Sequence, residues 1–471
     1  MMIKTKNADI IDTRNRFIIY GIPFFIICLY AMLAAQSNLR FSVPLLIFIS
    51  AAIWILLAVI QYNEDRNTCS LSPWLILGVA AIIRVMFVFR PPELSDDIYR
   101  YIWDGLQMVF GNNPYQLAPA HVLPQSQVAA EILPLVNHPD LVTIYPPGAQ
   151  VVFLMAALLG HQTWVLKGLL SLMDLLSCVM IIRLLKQFDL KTSRSILYAW
   201  HPLTVLEISG SGHIDAAGIF FFFLSLSIAF NTISSSSFPD RMKKNLPVIL
   251  SGLFYAWSCL IKLFPVLFFP ILLKSVSRQY RHLFLAGVLS GGLLLCLPFF
   301  GHLTHMAETL FLYTRHWAFS GLSYVSLTHL HLSGDLSRTI LGTLFLAALS
   351  VIWLRTPGSF FGRSSAEVTN FSFYSLYLIN LAFLFFTPTL HPWYALYLIS
   401  VLPFVPGLTG AILSWSVLLA YAVLIPYALT GEWSENALST VLIWLGPFSA
   451  FFVKHLIFRL KPILPFKRYG Q

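Results

Sequence analysis

Residues 72–105 read SPWLILGVAAIIRVMFVFRPPELSDDIYRYIWDG, an apolar run followed directly by an acidic and aromatic segment. A membrane-spanning helix needs about 20 mostly apolar residues, so the run over residues 72–90 predicts a transmembrane helix. The polar segment that follows predicts a loop at the membrane surface. The fold is therefore expected to be a bundle of spanning helices with its polar chemistry at the helix ends.

The composition of the whole chain agrees with this interpretation. Of the 471 residues, 57% are hydrophobic and 11% are charged, whereas soluble domains usually contain about 25% charged residues. This excludes a soluble globular protein and predicts an all-α polytopic membrane protein with about 12–14 transmembrane helices. Comparable apolar runs lie near residues 17–35, 41–61, 72–90, 164–187, 195–210, 213–231, 246–261, 264–274, 283–300, 338–355, 370–387, 392–406, 411–430 and 437–458.

The formal net charge of +10 is best explained by membrane topology, because Lys and Arg concentrate in cytoplasmic loops. With a cytoplasmic N-terminus, four basic clusters all fall on the cytoplasmic side. Nucleic-acid binding gains no support from this distribution. The clusters are Arg183/Lys186/Lys191/Arg194, Arg241/Lys243/Lys244, Lys274/Arg278/Arg281 and Lys454/Arg459/Lys461/Lys467/Arg468.

This topology treats residues 1–471 as a single integral membrane domain. Residues 1–70 form an N-terminal hairpin of spans, and two long loops, residues 91–145 and 301–337, face outward. The apolar run over residues 146–160 is short, and counting it as a full span would reverse the side of the next three basic clusters. It is therefore predicted to be a re-entrant or partly inserted helix.

The loop over residues 91–145 is acidic and is expected to carry short helices. Ser95 is a plausible N-cap for a helix that begins with two carboxylates. Asp97, Arg100, Tyr101 and Asp104 would share one helix face, while Asp96 would point elsewhere. A carboxylate beside aromatic rings at a membrane boundary is a candidate general base, although a single first-turn Asp can also serve only to complement the helix dipole.

Other polar residues fall on the same predicted outer face although they are remote in sequence. They include two further substrate-binding candidates, His213 and Asp215, and three cations that suit a phosphate, Lys262, Arg315 and His391. Carboxylates for proton removal together with cations suggest group transfer with a lipid-linked phosphate as the leaving group. The remaining substrate-binding candidates are Arg100, Tyr101, Asp104, Tyr145 and Trp317.

Several of these stretches resemble glycosyltransferase superfamily C, in particular the polyprenyl-phosphate-mannose-dependent mannosyltransferases of bacteria. The matching stretches are Ser95–Gly105 with Asn113–Tyr115, Asn137–Asp140 with Tyr145–Pro147, Tyr198–Pro202, Gly210–Asp215, Lys262–Pro265 and His391–Tyr394. The resemblance implies the fold of superfamily C glycosyltransferases and a catalytic Asp in the first large external loop. It also implies a polyprenyl-phosphate sugar as donor and inversion at the anomeric carbon. The two spans that precede the motif-bearing span depart from the pattern of the superfamily.

The resulting hypothesis is transfer of a hexose, with mannose favoured, to a hydroxyl of a lipid or glycan acceptor. Asp97 is the expected base, with Asp96 as the second candidate. The enzyme would lie in the plasma (inner) membrane as a multi-pass protein of the cell envelope, with its active site facing the periplasm or exterior. No cofactor is predicted, although Asp96 and Asp97 could hold a divalent cation. A transporter or flippase, or a polymerase or ligase of lipid-linked glycans, is the alternative.

Overall fold

The computed structural model describes residues 17–66, 71–234, 241–356 and 366–460, and this part of the chain is helical apart from its connections. Within these ranges, strand-like pairing is limited to isolated bridges of Phe319 and Ser320 with Thr389. The all-α polytopic prediction is confirmed. Residues 1–16 and 67–70 of the predicted N-terminal hairpin, and the basic residues Lys461, Lys467 and Arg468, lie outside the described residues.

The α-helices are α1 (Ile22–Ala34), α2 (Val43–Asp65), α3 (Pro73–Val88), α4 (Asp97–Val109), α5 (Gln127–Ile132), α6 (Pro147–Leu159), α7 (Thr163–Gln187), α8 (Ile196–Ala199), α9 (Pro202–Thr204), α10 (Asp215–Ser234), α11 (Arg241–Ile261), α12 (Phe269–Ser275), α13 (Arg281–Cys296), α14 (Leu303–His316), α15 (Leu322–His329), α16 (Gly334–Arg355), α17 (Ala366–Phe386), α18 (Leu396–Val401), α19 (Leu408–Ser416), α20 (Leu424–Thr430) and α21 (Ala437–Leu460). Shorter 3₁₀ segments are Pro119–His121, Leu133–Leu135, Thr192–Ser195, Phe264–Phe268, Arg278–Tyr280, Leu297–His302, Pro392–Ala395 and Val417–Val423. Two π-helical segments are Phe17–Gly21 and Val205–Ser211.

Six helical segments in the described ranges are long and apolar enough to cross a membrane. They are Phe17–Ala34, Val43–Glu64, Thr163–Gln187, Arg278–His316, Gly334–Arg355 and Leu408–Thr430. Several further apolar helices are only 10–17 residues long, among them Pro73–Val88, Pro147–Leu159 and Asn245–Ile261. The predicted 12–14 spans are therefore reached only if these shorter helices are counted with the long ones.

Two predicted features differ in the structure. The segment over residues 301–337 is largely helical, because α13 continues through a 3₁₀ segment into α14 as one run of 39 residues, Arg278–His316. The two spans predicted near residues 195–210 and 213–231 are helices joined at a sharp break with a bend of 118°. Gly212 makes this break with a φ of +80°, a left-handed conformation that favours glycine.

The acidic segment after α3 leads directly into α4, which is buried along most of its length. The Ser95 hydroxyl accepts a hydrogen bond from the Asp97 backbone N–H at 3.3 Å. Asp96 rather than Ser95 occupies the N-cap position, so the predicted helix start is displaced by one residue. α4 packs against α6 where the backbones approach closely, because a Cβ on Gly105 would lie 2.4 Å from the Phe153 carbonyl oxygen.

The short helix α6 packs between α4 and α11. Its N-terminal residues are buried, and the Trp257 indole donates a hydrogen bond to the Gly148 carbonyl at 3.1 Å. Its last residues, Leu158 and Leu159, are exposed. Protein therefore covers the start of the segment that was predicted to be re-entrant, as a non-spanning helix requires.

The N-terminal helices α1 and α2 are tied to the acidic segment through the loop between them. Arg40 in this loop donates to the Glu93 carbonyl, and the Leu39 N–H donates to the Glu93 carboxylate at 3.0 Å. Arg90, two residues after the end of α3, donates to both the Ala34 carbonyl and the Glu93 carboxylate. The hairpin thereby holds the start of α4 in place.

The crossing of α11 and α13 depends on two glycines that face each other. A Cβ on Gly287 would lie 2.0 Å from the Ile249 carbonyl oxygen, and a Cβ on Gly252 would lie 2.2 Å from that of Phe284. Small residues at such positions let helix backbones approach closely within a membrane. Any larger side chain must push the two helices apart.

Gly287→Ala should therefore lower the free energy of unfolding by about 1–3 kcal/mol, the usual cost of overpacking. Gly292→Ala is the matched control on the same helix, because a Cβ there meets nothing within 4 Å. Ala should stabilise the helix slightly at this second position. Thermal unfolding of both variants in detergent measures the difference, and equal midpoints would contradict the proposed close packing.

Candidate functional site

A cavity of about 1180 Å³ lies where the ends of several helices meet the acidic segment. It brings together many of the predicted site residues, although they come from positions far apart in the chain. Those that line the cavity are Asp96, Asp97, Arg100, Tyr101, Tyr145, Asp215, Lys262, Trp317 and His391. Asp104, His213 and Arg315 do not line it.

Asp97 stands at the first turn of α4 with its carboxylate held by two neutral donors. The Asn137 amide donates to Oδ1 at 2.7 Å, and the Tyr145 hydroxyl donates to Oδ2 at 3.1 Å. Its side chain is 20% exposed, so the carboxylate is accessible from the cavity. Two donors from the 137–145 loop thus fix the orientation of an accessible carboxylate, as a general base requires.

Asp96 has a different environment from its neighbour. Its Oδ1 lies 2.7 Å from the Arg40 guanidinium, and 42% of its side chain is exposed. Arg40 also lines the cavity. The two adjacent carboxylates therefore differ in charge balance, because Asp96 is paired with a cation while Asp97 accepts from an amide and a phenol.

Lys262 and Asp215 form an ion pair at the cavity wall. The Lys262 ammonium lies 2.7 and 2.8 Å from the two carboxylate oxygens of Asp215. It also lies 5.1 Å from the centre of the Tyr394 ring, within cation–π range. Asp215 is buried at the start of α10, whereas the Lys262 side chain is 26% exposed. The ammonium is thus the accessible partner of the pair.

His391 belongs to a stack of aromatic rings rather than to the cations of the site. Its ring lies 4.2 Å from that of Trp393 and 4.9 Å from that of Phe319. Burial lowers the pKa of His391 to about 3. A pKa lowered in this direction favours a neutral imidazole, which can still donate a hydrogen bond to a phosphate, and the phosphate-binding role of His391 stays a prediction.

The three predicted substrate-binding residues of α4 have internal partners. Asp104 is buried and lies 3.0 Å from the Arg100 guanidinium, and it also accepts from Gln150 at 3.1 Å. Arg100 donates to the Leu141 carbonyl as well, while its second terminal nitrogen has no protein partner. Asp104 is therefore separated from the cavity by Arg100, which does line it. Tyr101 stacks on Phe153 at 4.6 Å.

Arg315 does not join the other cations. It lies 3.5 Å from Asp335, and the side chains of the two residues are 54% and 69% exposed. The following residues, His316 and Trp317, do line the cavity. Consecutive residues of a helix point in directions about 100° apart. Neighbouring residues such as Arg315 and His316 therefore need not face the same cavity.

The prediction did not include Arg40, Asn137, His316 and Glu435 among the cavity residues. The sequence could have identified Arg40 as a candidate, because it is a lone cation in a loop that the distribution of basic residues places on the outer side. Glu435 accepts a hydrogen bond from the Ser320 N–H at 3.1 Å, and burial raises the pKa of its carboxyl. Its position beside Ser320 and Trp433 could not be predicted from the sequence.

No group of three or more His, Cys, Asp and Glu side chains within the described ranges is arranged to hold a metal ion. Asp96 and Asp97 have separate partners, Arg40 for the first and Asn137 with Tyr145 for the second. A divalent cation at the two aspartates stays a prediction, and a transfer assay with and without a chelator would test it.

The Tyr145 hydroxyl allows a direct test of how Asp97 is held. Tyr145→Phe removes one donor to the carboxylate, and a hydrogen bond to a charged group contributes about 1.5–3 kcal/mol. If Asp97 is the base, transfer should fall by about tenfold or more, while the free energy of unfolding should fall by no more than this one hydrogen bond contributes. Tyr99→Phe on the same helix is the control, because Tyr99 does not line the cavity. Equal rates for the two variants would contradict a positioning role of Tyr145.

The fold and the site together define a multi-pass membrane protein whose polar residues from remote helix ends surround one large cavity. The chain belongs to the alpha-(1->6)-mannopyranosyltransferase family, whose N-terminal domain matches residues 26–278, more than half of the chain. The predicted resemblance to mannosyltransferases is thereby confirmed, and the protein is a membrane glycosyltransferase. No curated protein and no solved structure matches the chain.

Proposed function

We propose that the protein transfers mannose from a polyprenyl-phosphate donor to a hydroxyl of a lipid or glycan acceptor, with Asp97 as the general base. The observation that supports this proposal most directly is that Asp97 and Lys262 line the same cavity of about 1180 Å³. A base for the acceptor hydroxyl and a cation for the leaving phosphate are the two groups that this transfer needs.

The apolar part of the cavity wall supports a lipid-linked donor. It includes Leu263, Phe264 and Leu267 next to Lys262, together with Phe345 and Phe383. Leu263 is 41% exposed, so this wall reaches the surface of the helix bundle. A polyprenyl chain could lie along these side chains while its phosphate meets the Lys262 ammonium. A water-soluble nucleotide sugar would gain nothing from such a wall.

The proposed reaction is a single displacement at the anomeric carbon. The acceptor oxygen forms a bond to this carbon, the bond from the carbon to the phosphate oxygen breaks, and the hydroxyl proton passes to the Asp97 carboxylate. The phosphate leaves with the bonding electron pair, and Lys262 stabilises the charge that develops on it. Attack from the face opposite the leaving group inverts the configuration of the sugar.

The directions of the helices support an active site on the outer face. The cavity lies beside the loop before α2, the start of α10, the end of α11 and the loop after α17. The basic clusters lie at the other ends of helices, for example Lys186 at the end of α7 and Lys274 at the end of α12. Because basic residues favour the cytoplasmic side, we infer that the cavity faces the periplasm or exterior.

Purified protein in liposomes tests the proposed donor. Radiolabelled mannose should be transferred from polyprenyl-phosphate mannose, and nucleoside-diphosphate mannose should give no product. NMR of the product should show the inverted anomer. Transfer from the nucleotide sugar, or product with retained configuration, would overturn the assignment of donor or mechanism. If the protein moved the donor lipid across the liposome bilayer but transferred no mannose, the flippase alternative would be favoured instead.

A further inference from the structure

Behind Asp97 lies a buried cluster of polar groups that the proposed reaction has not yet used. It consists of His213, Glu207 and Tyr421, all three of which are buried, and Tyr421 also lines the cavity. His213 Nδ1 lies 2.8 Å from Glu207 Oε2, and His213 Nε2 lies 3.9 Å from Asp97 Oδ2. The Tyr421 hydroxyl donates to the other carboxylate oxygen of Glu207. An imidazole thus separates a buried carboxylate from the proposed base.

The local backbone is specialised to build this arrangement. Glu207 lies in the π-helical segment Val205–Ser211, and such segments are frequent at functional sites. Gly212 then turns the chain, and a Cβ on this residue would lie 2.6 Å from the Ile98 side chain of α4. The break between the two helices therefore brings His213 against the first turn of the helix that carries Asp97.

The burial of Glu207 favours a positive charge on its neighbour His213, which lies 2.8 Å from the carboxylate. An isolated buried carboxylate is very costly unless it is paired, and His213 is the adjacent group that can supply a positive charge. The Tyr421 hydroxyl satisfies the second oxygen without adding charge. The Trp393 ring covers the imidazole at 4.2 Å, a geometry that suits a cation over an aromatic face.

We propose that His213 is a positioning residue for the base: held as an imidazolium by Glu207, it orients the Asp97 carboxylate and offsets its negative charge when the anionic donor phosphate enters the cavity. This inference rests on the proposed function, because it needs Asp97 to be the base. The 3.9 Å separation is longer than a hydrogen bond. Catalytic hydrogen bonds are often long without substrate and tighten in the reacting complex.

The charged and titratable groups around His213 come from several elements. Glu207 belongs to its own segment, Asp97 to α4, Asp215 to the start of α10, and His391 lies beyond the Trp393 ring. Tyr421 donates to the Glu207 carboxylate, and the charges of Asp215 and Lys262 also act on it. In this set His213 is the only group in contact with both Glu207 and Asp97 among the described residues.

The pH dependence of the maximal transfer rate tests the inference. An anion that loses an adjacent cation takes up a proton more readily. His213→Gln should therefore move the acid limb of the rate profile upward by about one pH unit. Glu207→Gln should move it in the same direction, because the imidazole then loses the anion that keeps it charged. The double variant should match His213→Gln, because both changes remove one interaction.

Two further variants keep the test decisive. Tyr421→Phe removes only the hydroxyl that bonds Glu207, so it should fold and give a smaller upward movement of the acid limb. His201→Gln is the matched control, because His201 is equally buried and bonds Ser414 at 2.9 Å but does not line the cavity. A purely structural role of His213 predicts lower rates at every pH without a shifted limb.

The outcomes separate this inference from the proposed function. If Asp97→Asn is inactive and the acid limb stays in place in His213→Gln and Tyr421→Phe, the role assigned to His213 is wrong while Asp97 remains the base. If Asp97→Asn still transfers mannose, the assignment of the base itself fails. An upward movement in both variants with no movement in His201→Gln supports the inference.

Discussion

Replacement of Asp97 by Asn should lower mannosyl transfer by about 10²–10⁴-fold, the usual contribution of a general base. The amide nearly preserves the size of the side chain, and its oxygen can still accept from Asn137 or Tyr145, which now donate at 2.7 and 3.1 Å. Donor binding should therefore change little. Initial rates in liposomes, together with a donor-binding measurement, separate loss of chemistry from loss of affinity.

Asp96→Asn is the matched control for this experiment. Asp96 is the adjacent carboxylate, but it is paired with Arg40 and 42% exposed. Exposed ion pairs contribute about 0.2–1 kcal/mol, so the rate should fall by about fivefold at most. A larger loss in Asp96→Asn than in Asp97→Asn would reverse the assignment of the base.

Lys262→Gln should lower the rate constant of transfer by about 10²–10³-fold, as removal of a group that stabilises transition-state charge commonly does. The ammonium that now contacts both oxygens of Asp215 is accessible from the cavity and can meet the departing phosphate. Its loss also leaves the buried Asp215 carboxylate without its cation. Both the rate and the thermal stability of this variant should therefore decrease.

The double variant Asp215→Asn/Lys262→Gln separates the two effects. Removing both charges avoids an unpaired buried carboxylate, so stability should be largely restored while transfer stays low. Arg315→Gln is the comparison cation, because Arg315 lies outside the cavity and pairs with Asp335. Its rate should stay within about twofold of wild type. Recovery of transfer in the double variant would assign Lys262 a structural role only.

Much of the site could be predicted because its residues carry strong local signals. The Asp96–Asp97 pair follows an apolar run, and the charge rule placed Asp215, Lys262 and His391 on one face. The structure brings these residues into one cavity. Arg315 met the same criteria but points away from the cavity, because topology assigns an end of the bundle to a residue and not a direction for its side chain.

The length and spacing of the apolar runs predicted where helices occur but not which of them are long enough to span a membrane. Apolar sequence alone does not distinguish a full span from a shorter buried helix, and many of the predicted spans are helices of 10–17 residues. The first part of the predicted outer loop over residues 301–337 instead continues the preceding helix as far as His316. The sharp break at Gly212 similarly appeared in the sequence as a boundary between two separate spans.

The sequence by itself determined the class of the protein, since hydropathy and charge distribution act through local and additive preferences for lipid or water. It also determined Asp97 as the candidate base and the family to which the chain belongs. Only the tertiary structure decided which carboxylate is paired with Arg40, which cation lines the cavity and which histidine lies between Asp97 and Glu207. These relations depend on side chains from distant helices, and their distances are set by packing rather than by any local pattern.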